Sequence, residues 1–199
     1  MKHLLAIALL VLTTNAWASN TRLPTDSPLQ HVKAKFFDEV AATPKWSPKG
    51  KSLYIQVAGV HFNEYWREAV SKDLAPGFEQ AIENNFSIIF KQVLTEQYTK
   101  AGYQIESSAI NADVILLASV EDLRVYVTQA KHFVESKTAN TGSANLLIEF
   151  IEKGELKMFF SNAKETRQRG NELRNSVEKD FERMMKAFTK ESLKVIKKR

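Results

Sequence analysis

The sequence predicts an α+β domain: a four-stranded, mainly antiparallel sheet with two amphipathic helices packed on one face, in the order β-α-β-β-β-α. Two long stretches repeat apolar residues at three- and four-residue steps, the signature of helices with one buried face. Four shorter ones alternate at period two or are dense in Val, Leu and Ile, as strands are. The whole chain has 199 residues, 44% apolar and 26% charged, which excludes extended disorder and collagen-like classes and suits one packed domain.

The N-terminus reads as an export signal. Met1-Lys2-His3 is basic, Leu4 to Leu12 is an unbroken apolar run, and Ala16-Trp17-Ala18 places small residues where a signal peptidase needs them. Residues 1–18 are therefore expected to be cleaved before Ser19. A membrane-spanning helix needs about 20 apolar residues, and this run ends at Thr13. With no cysteine in the chain, a disulfide framework, a thiolate zinc site, a Cys nucleophile and a thioether lipid anchor are all excluded. The expected location is the periplasm, without a lipid tether.

Residues 19–50 hold four of the five prolines, Pro24, Pro28, Pro44 and Pro48, and show no sustained period. Proline fixes φ and removes a backbone donor, so this segment is expected to be an extended arm. It either packs along the domain through Phe36, Phe37 and Trp46 or forms a mobile tail. The domain proper is then 51–199. It opens with a strand over 52–60, where Leu53, Ile55 and Val57 alternate with Tyr54, Gln56 and Ala58. An irregular aromatic stretch follows, ending at Pro76-Gly77. A helix is expected over 78–101 on the stripe Phe78, Ile82, Phe86, Ile89, Phe90, Val93, Leu94 and Ala101, stopped by Gly102. Strands are expected over 112–127, 144–152 and 155–166; the last two flank Lys153-Gly154, a two-residue hairpin signal, and the polar segment 129–142 is a long loop. The last helix opens at Asn175-Ser176-Val177-Glu178, a capping-box pattern, and carries Val177, Phe181, Met184, Met185, Phe188 and Val195 on one face.

Catalytic patterns are scarce. The seven glycines never form G-x-G-x-x-G, and Gly50-Lys51-Ser52 lacks the leading glycine of a phosphate loop, since Lys45 stands there. His31, His61 and His132 are never four residues apart, so no helix face offers a two-histidine metal grip; His61-Phe62-Asn63-Glu64 is at most a weak chelator. Glu121 and Asp122 are adjacent on a strand and point to opposite faces, whereas an acid/base pair must converge. No cofactor, no metal and no enzymatic activity are expected.

Two features suit binding instead. Phe62, Tyr65 and Trp66 form either a rim for a glycan or protein partner or a loop that closes the core. Residues 164–199 contain 12 basic and 6 acidic side chains, among them Arg167, Arg169 and Arg174. This is either a solvated helix face or a surface for anionic lipid. Export argues against nucleic acid as a ligand.

Lys51 to Val57 followed by Trp66, then Ala101-Gly102-Tyr103-Gln104 ahead of Ala112-Asp113-Val114-Ile115-Leu116, then Asn175-Ser176-Val177 with Asp180-Phe181 and Phe188, resemble in order and spacing an uncharacterised family of small Gram-negative envelope proteins. Its members carry a domain of unknown function and are mostly lipoproteins. The resemblance spans about residues 50–195 and implies an α+β layer and an envelope location, with no catalytic residues to carry over. This chain departs from it by lacking the acylated Cys and by having Phe188 where relatives often have Trp.

The expected function is thus an exported, non-enzymatic component that binds an envelope protein partner through Phe62, Tyr65, Trp66, Arg167, Arg169 and Arg174. A module for peptidoglycan glycan or anionic lipid is the alternative. The sequence leaves the oligomeric state open.

Overall fold

The structure, a computed structural model, describes residues 28–69, 76–125, 140–167 and 177–199, with the backbone alone at 140, 141 and 164–167. The export segment, residues 129–139 of the expected loop 129–142, and the cap at Asn175-Ser176 lie outside the described residues; 140–142 are strand and not loop.

The elements are β1 (Gln30–His31), β2 (Glu39–Ala42), β3 (Leu53–Phe62), α1 (Glu64–Ala69), α2 (Phe78–Lys100), β4 (Ile105–Glu106), β5 (Val114–Val125), β6 (Asn140–Glu152), β7 (Glu155–Arg167) and α3 (Val177–Lys197), with a 3-10 turn at Ala109–Asn111. The strands form one sheet in the order β1-β2-β7-β6-β5-β3-β4. This corrects the expected four-stranded, mainly antiparallel sheet: seven strands and three helices are described, and the sheet is mixed. Two causes account for the difference. β1, β2 and β4 are two to four residues long, too short to show a period. And α2 is a crossover, so β3 runs parallel to β5 and β4 instead of forming a hairpin.

Residues 28–50 belong to the same body. β2 pairs antiparallel with β7, Val40 opposite Phe160, and Phe37 is buried between Phe160 at 5.0 Å and Phe188 at 5.3 Å.

The two long helices cover one sheet face. α2 buries Ile82, Phe86, Phe90, Val93, Leu94 and Tyr98; α3 buries Phe181, Met185, Phe188, Leu193 and Ile196. Opposite them stand Leu53 and Ile55, then Leu116, Ala118 and Val120, then Leu146, Ile148 and Phe150, then Met158 and Phe160, all in one core. The helices meet at Phe86 and Phe181, 4.5 Å apart, and at the fully buried Tyr98, whose hydroxyl lies 3.2 Å from Ser192 Oγ. α2 ends in a Schellman motif: Gly102, at φ 90, donates to Thr99 O, and Tyr103 donates to Tyr98 O. The β6–β7 turn has Lys153 at φ 52 and Gly154 at φ 79, the paired positive φ of a type I′ hairpin.

Candidate functional site

Side chains of a strand alternate between faces, so each strand in the centre of the sheet also presents a second set. On the face away from α2 and α3, the register aligns Ile115 with Ile151, Leu117 with Glu149, Ser119 with Leu147 and Glu121 with Asn145. It continues into β7 with Ile151 opposite Leu156, Glu149 opposite Phe159 and Leu147 opposite Ser161. Toward the β2 edge Leu29, Ala41 and Phe159 close a small buried cluster with Leu156 packed on it. Ile115, Leu117, Leu147 and Ile151 are half-buried and join neither this cluster nor the main core. No described helix packs on them.

Strands apolar on both faces are normally covered on both. β5 and β6 carry apolar residues on both faces, and among the described residues only one face has its cover.

Glu149 stands in the middle of this face. Its carboxyl has no hydrogen bond or ion pair among the described residues. Burial pushes its carboxyl above the ordinary glutamate range, and the charge of Glu121 adds to the shift. Glu121 has a partner of its own, His61, with Nε2 at 4.0 Å from Oε1.

The sign of the consequence follows from linkage. Above the ordinary glutamate value of 4.5, and up to its raised native value, the native state holds a proton that the unfolded chain has released. Stability therefore falls as pH rises through that window. Glu149→Gln keeps the shape and removes the ionisation, so it is expected to gain about 1 kcal/mol at neutral pH and nothing below the window. Urea unfolding at both pH values checks this; an equal effect at both would place the carboxyl in water.

The residues singled out from sequence are dispersed. Phe62 and Trp66 are 5% and 3% exposed and stack on each other, with centroids 4.8 Å apart and 16° between planes. Trp66 Nε1 donates to Val125 O at 2.8 Å, which pins the start of α1 to the end of β5. Tyr65, between them in sequence, is 77% exposed and shares no surface with their rings. Arg167 ends β7 opposite Asn140; Arg169 and Arg174 lie outside the described residues. His61, Asn63 and Glu64 form no metal-ligand set, and among the described residues no group of three or more His, Cys, Asp or Glu does so.

Ile115, Leu117, Leu147, Glu149 and Ile151 are not among the residues singled out from sequence. Their pattern is nonetheless visible: 114–118 and 146–148 are apolar at consecutive positions, as are 150 and 151 beyond Glu149, more than one covered face requires.

No family model and no curated protein matches the chain. Two crystal forms of the PelC dodecamer from Paraburkholderia phytofirmans, one of them a point variant, are similar to it in structure. Each is 12% identical and covers 79% of this chain, and 96% and 94% of the PelC chains respectively, at a TM-score of 0.44. A likeness at that level transfers neither partner nor activity.

Proposed function

We propose that this chain is an exported, non-enzymatic accessory protein of the cell envelope that holds a partner protein on the face of its sheet opposite α2 and α3. The observation that carries it is the half-buried row Ile115, Leu117, Leu147 and Ile151 around the unpaired Glu149. Apolar rows drive association by removing surface from water. An unpaired carboxyl inside them favours a partner that brings a cation, because a desolvated ion pair recovers the cost of burying either charge alone. The same carboxylates disfavour a second copy of this face, which would set Glu149 and Glu121 against their like. The occupant is therefore an envelope protein whose docking surface is apolar with a Lys or Arg at its centre. Location outside the cytoplasm rests on the N-terminal segment: Lys2, the apolar run to Leu12 and the small residues Ala16 and Ala18.

Photo-crosslinkers placed at positions 117 and 147 of the full chain in cells are expected to capture one and the same protein. The same probe at Lys91, exposed on α2, should not. Leu117→Arg with Leu147→Arg should abolish the crosslink at Ile115 while the variant melts like the parent. With the captured protein purified, Glu149→Gln should weaken binding about tenfold, and neutralising the partner's cation should produce no further loss. Equal capture at 117 and 91, or no capture from the open face, overturns the assignment.

A further inference from the structure

A second surface lies at one end of the sheet, where β3 and β5 begin, β6 turns into β7 and α3 ends. Three segments distant in sequence converge there. Arg199 donates to Thr43 O at 3.0 Å and to Trp46 O at 3.4 Å; Lys49 Nζ donates to Lys197 O at 3.0 Å. Trp46 Nε1 in turn donates to Glu152 at 2.9 Å, and Lys51 pairs with the other oxygen of that carboxylate. The C-terminus of α3, the loop between β2 and β3 and the β6–β7 turn are thus tied into one pole.

The ties consume backbone carbonyls more than charges. Lys45, Lys49, Lys153, Lys197, Lys198 and Arg199 are all exposed, and among the described residues none has a carboxylate within ion-pair distance. Glu152, Glu155 and Glu191 at this end already hold Lys51, Lys157 and Lys194.

An exposed apolar side chain stands at the same end of the sheet. Ile110 is 94% exposed, more than any other large hydrophobic among the described residues. It tops the 3-10 turn between β4 and β5, which is held in place: Ser108 Oγ accepts from Ile110 N at 3.3 Å, and Asp113 just beyond accepts from Ser52 N at 2.8 Å and from Ser52 Oγ at 3.0 Å. The clamp ties the strand that follows this turn to Ser52, at the end of the sheet where the cations lie.

We infer that this pole docks on an anionic phospholipid surface, with Ile110 entering the headgroup boundary and the six cations at the same end of the sheet meeting lipid phosphates. A soluble anion would use the charges and gain nothing from a water-exposed isoleucine; a bilayer uses both, since interfacial binding adds buried apolar area to electrostatic attraction. This is peripheral contact: among the described residues no helix is long and apolar enough to cross a membrane. The surface is separate from Leu117, Leu147 and Glu149, so it stands or falls independently of the protein-partner reading.

The test is flotation of the purified chain lacking residues 1–18 with vesicles of phosphatidylglycerol and phosphatidylethanolamine, and with phosphatidylcholine vesicles as the neutral arm. Binding to the anionic vesicles is expected, at least tenfold above the neutral ones and reduced by salt. Lys153→Glu with Lys197→Glu and Lys198→Glu should abolish it. Ile110→Asp should lower it about tenfold, with both variants melting like the parent, since none of these side chains is packed. Binding of inorganic polyphosphate, measured alongside, separates the sources. If polyphosphate binds the parent and Ile110→Asp equally, and Ile110→Asp floats as the parent does, the pole is a site for soluble anions and the membrane assignment is overturned. Equal flotation with neutral and anionic vesicles overturns it as well.

Discussion

Replacing Trp66 by alanine is expected to cost about 3–5 kcal/mol of folding stability. The ring is 3% exposed, lies parallel to Phe62 at 4.8 Å and donates its only N–H to Val125 O. Its backbone N–H is held by Asn63 Oδ1 at 2.9 Å. Alanine would leave a cavity where β3, α1 and β5 meet, together with an unsatisfied buried carbonyl. Trp66→Phe separates the two costs, because it refills much of the volume and loses only the hydrogen bond, about 1–2 kcal/mol. Tyr65→Ala, one residue away and exposed, should move stability by no more than about 0.5 kcal/mol. Urea unfolding of the three variants checks the ranking. A fully stable Trp66→Ala would mean that the ring is a surface for a partner after all.

Gly142→Ala is the second large effect, at about 2–3 kcal/mol. A Cβ on Gly142 would stand 2.3 Å from Arg124 O and 3.0 Å from the Phe181 ring. Gly142 is paired on both sides, with Val125 of β5 and Thr166 of β7. The clash is therefore with backbone at the last described pair of the β5–β6 ladder, and a rotamer change cannot relieve it. Either the β5–β6 pairing opens beyond the irregularity at Glu121 and Arg124, or Phe181 is pushed off the sheet and takes its contact with Phe86 along. Thermal unfolding reads the loss, and hydrogen exchange of the β5 amides identifies which of the two gives way: fast exchange confined to 123–125 marks the ladder. An unchanged melting curve would show that this end of the sheet carries no packed structure.

The aromatic trio shows why residue type alone does not tell a surface rim from a closure of the core. Phe62, Tyr65 and Trp66 are neighbours in sequence, but residue 62 ends a strand while 65 and 66 lie in the first turn of a helix. The change of period sends Phe62 and Trp66 inward together and Tyr65 out. Aromatic clusters look alike in a sequence whether they face water or core; only the local period distinguishes them, and it changes at Asn63.

Local chemistry was legible where it acts over a few residues. The stripe of α2 and its stop at Gly102, the stripe of α3, and the Lys153-Gly154 hairpin all depend on interactions within about one or two turns of chain, so they can be read directly. The short strands could not be. β1, β2 and β4 have no period of their own; they exist because β7 and β3 offer unpaired edges, and a ladder is completed by whatever segment reaches it. The parallel pairing of β3 and β5 likewise depends on how α2 crosses back over the sheet.

By itself, then, the sequence determined which segments bury an apolar face and where the chain turns, because both are set by residues near one another. Both candidate surfaces were decided by tertiary structure alone. Glu149 lies unpaired among apolar rows only in the register that β5, β6 and β7 adopt together. Lys49, Lys153 and Lys197 share a pole because the fold brings the loop before β3, the β6–β7 turn and the end of α3 together, with Arg199 reaching across 153 and 156 residues of chain to the carbonyls of Trp46 and Thr43. A charge acquires its meaning from what lies within a few ångströms of it, and at these distances along the chain only the fold sets that neighbourhood.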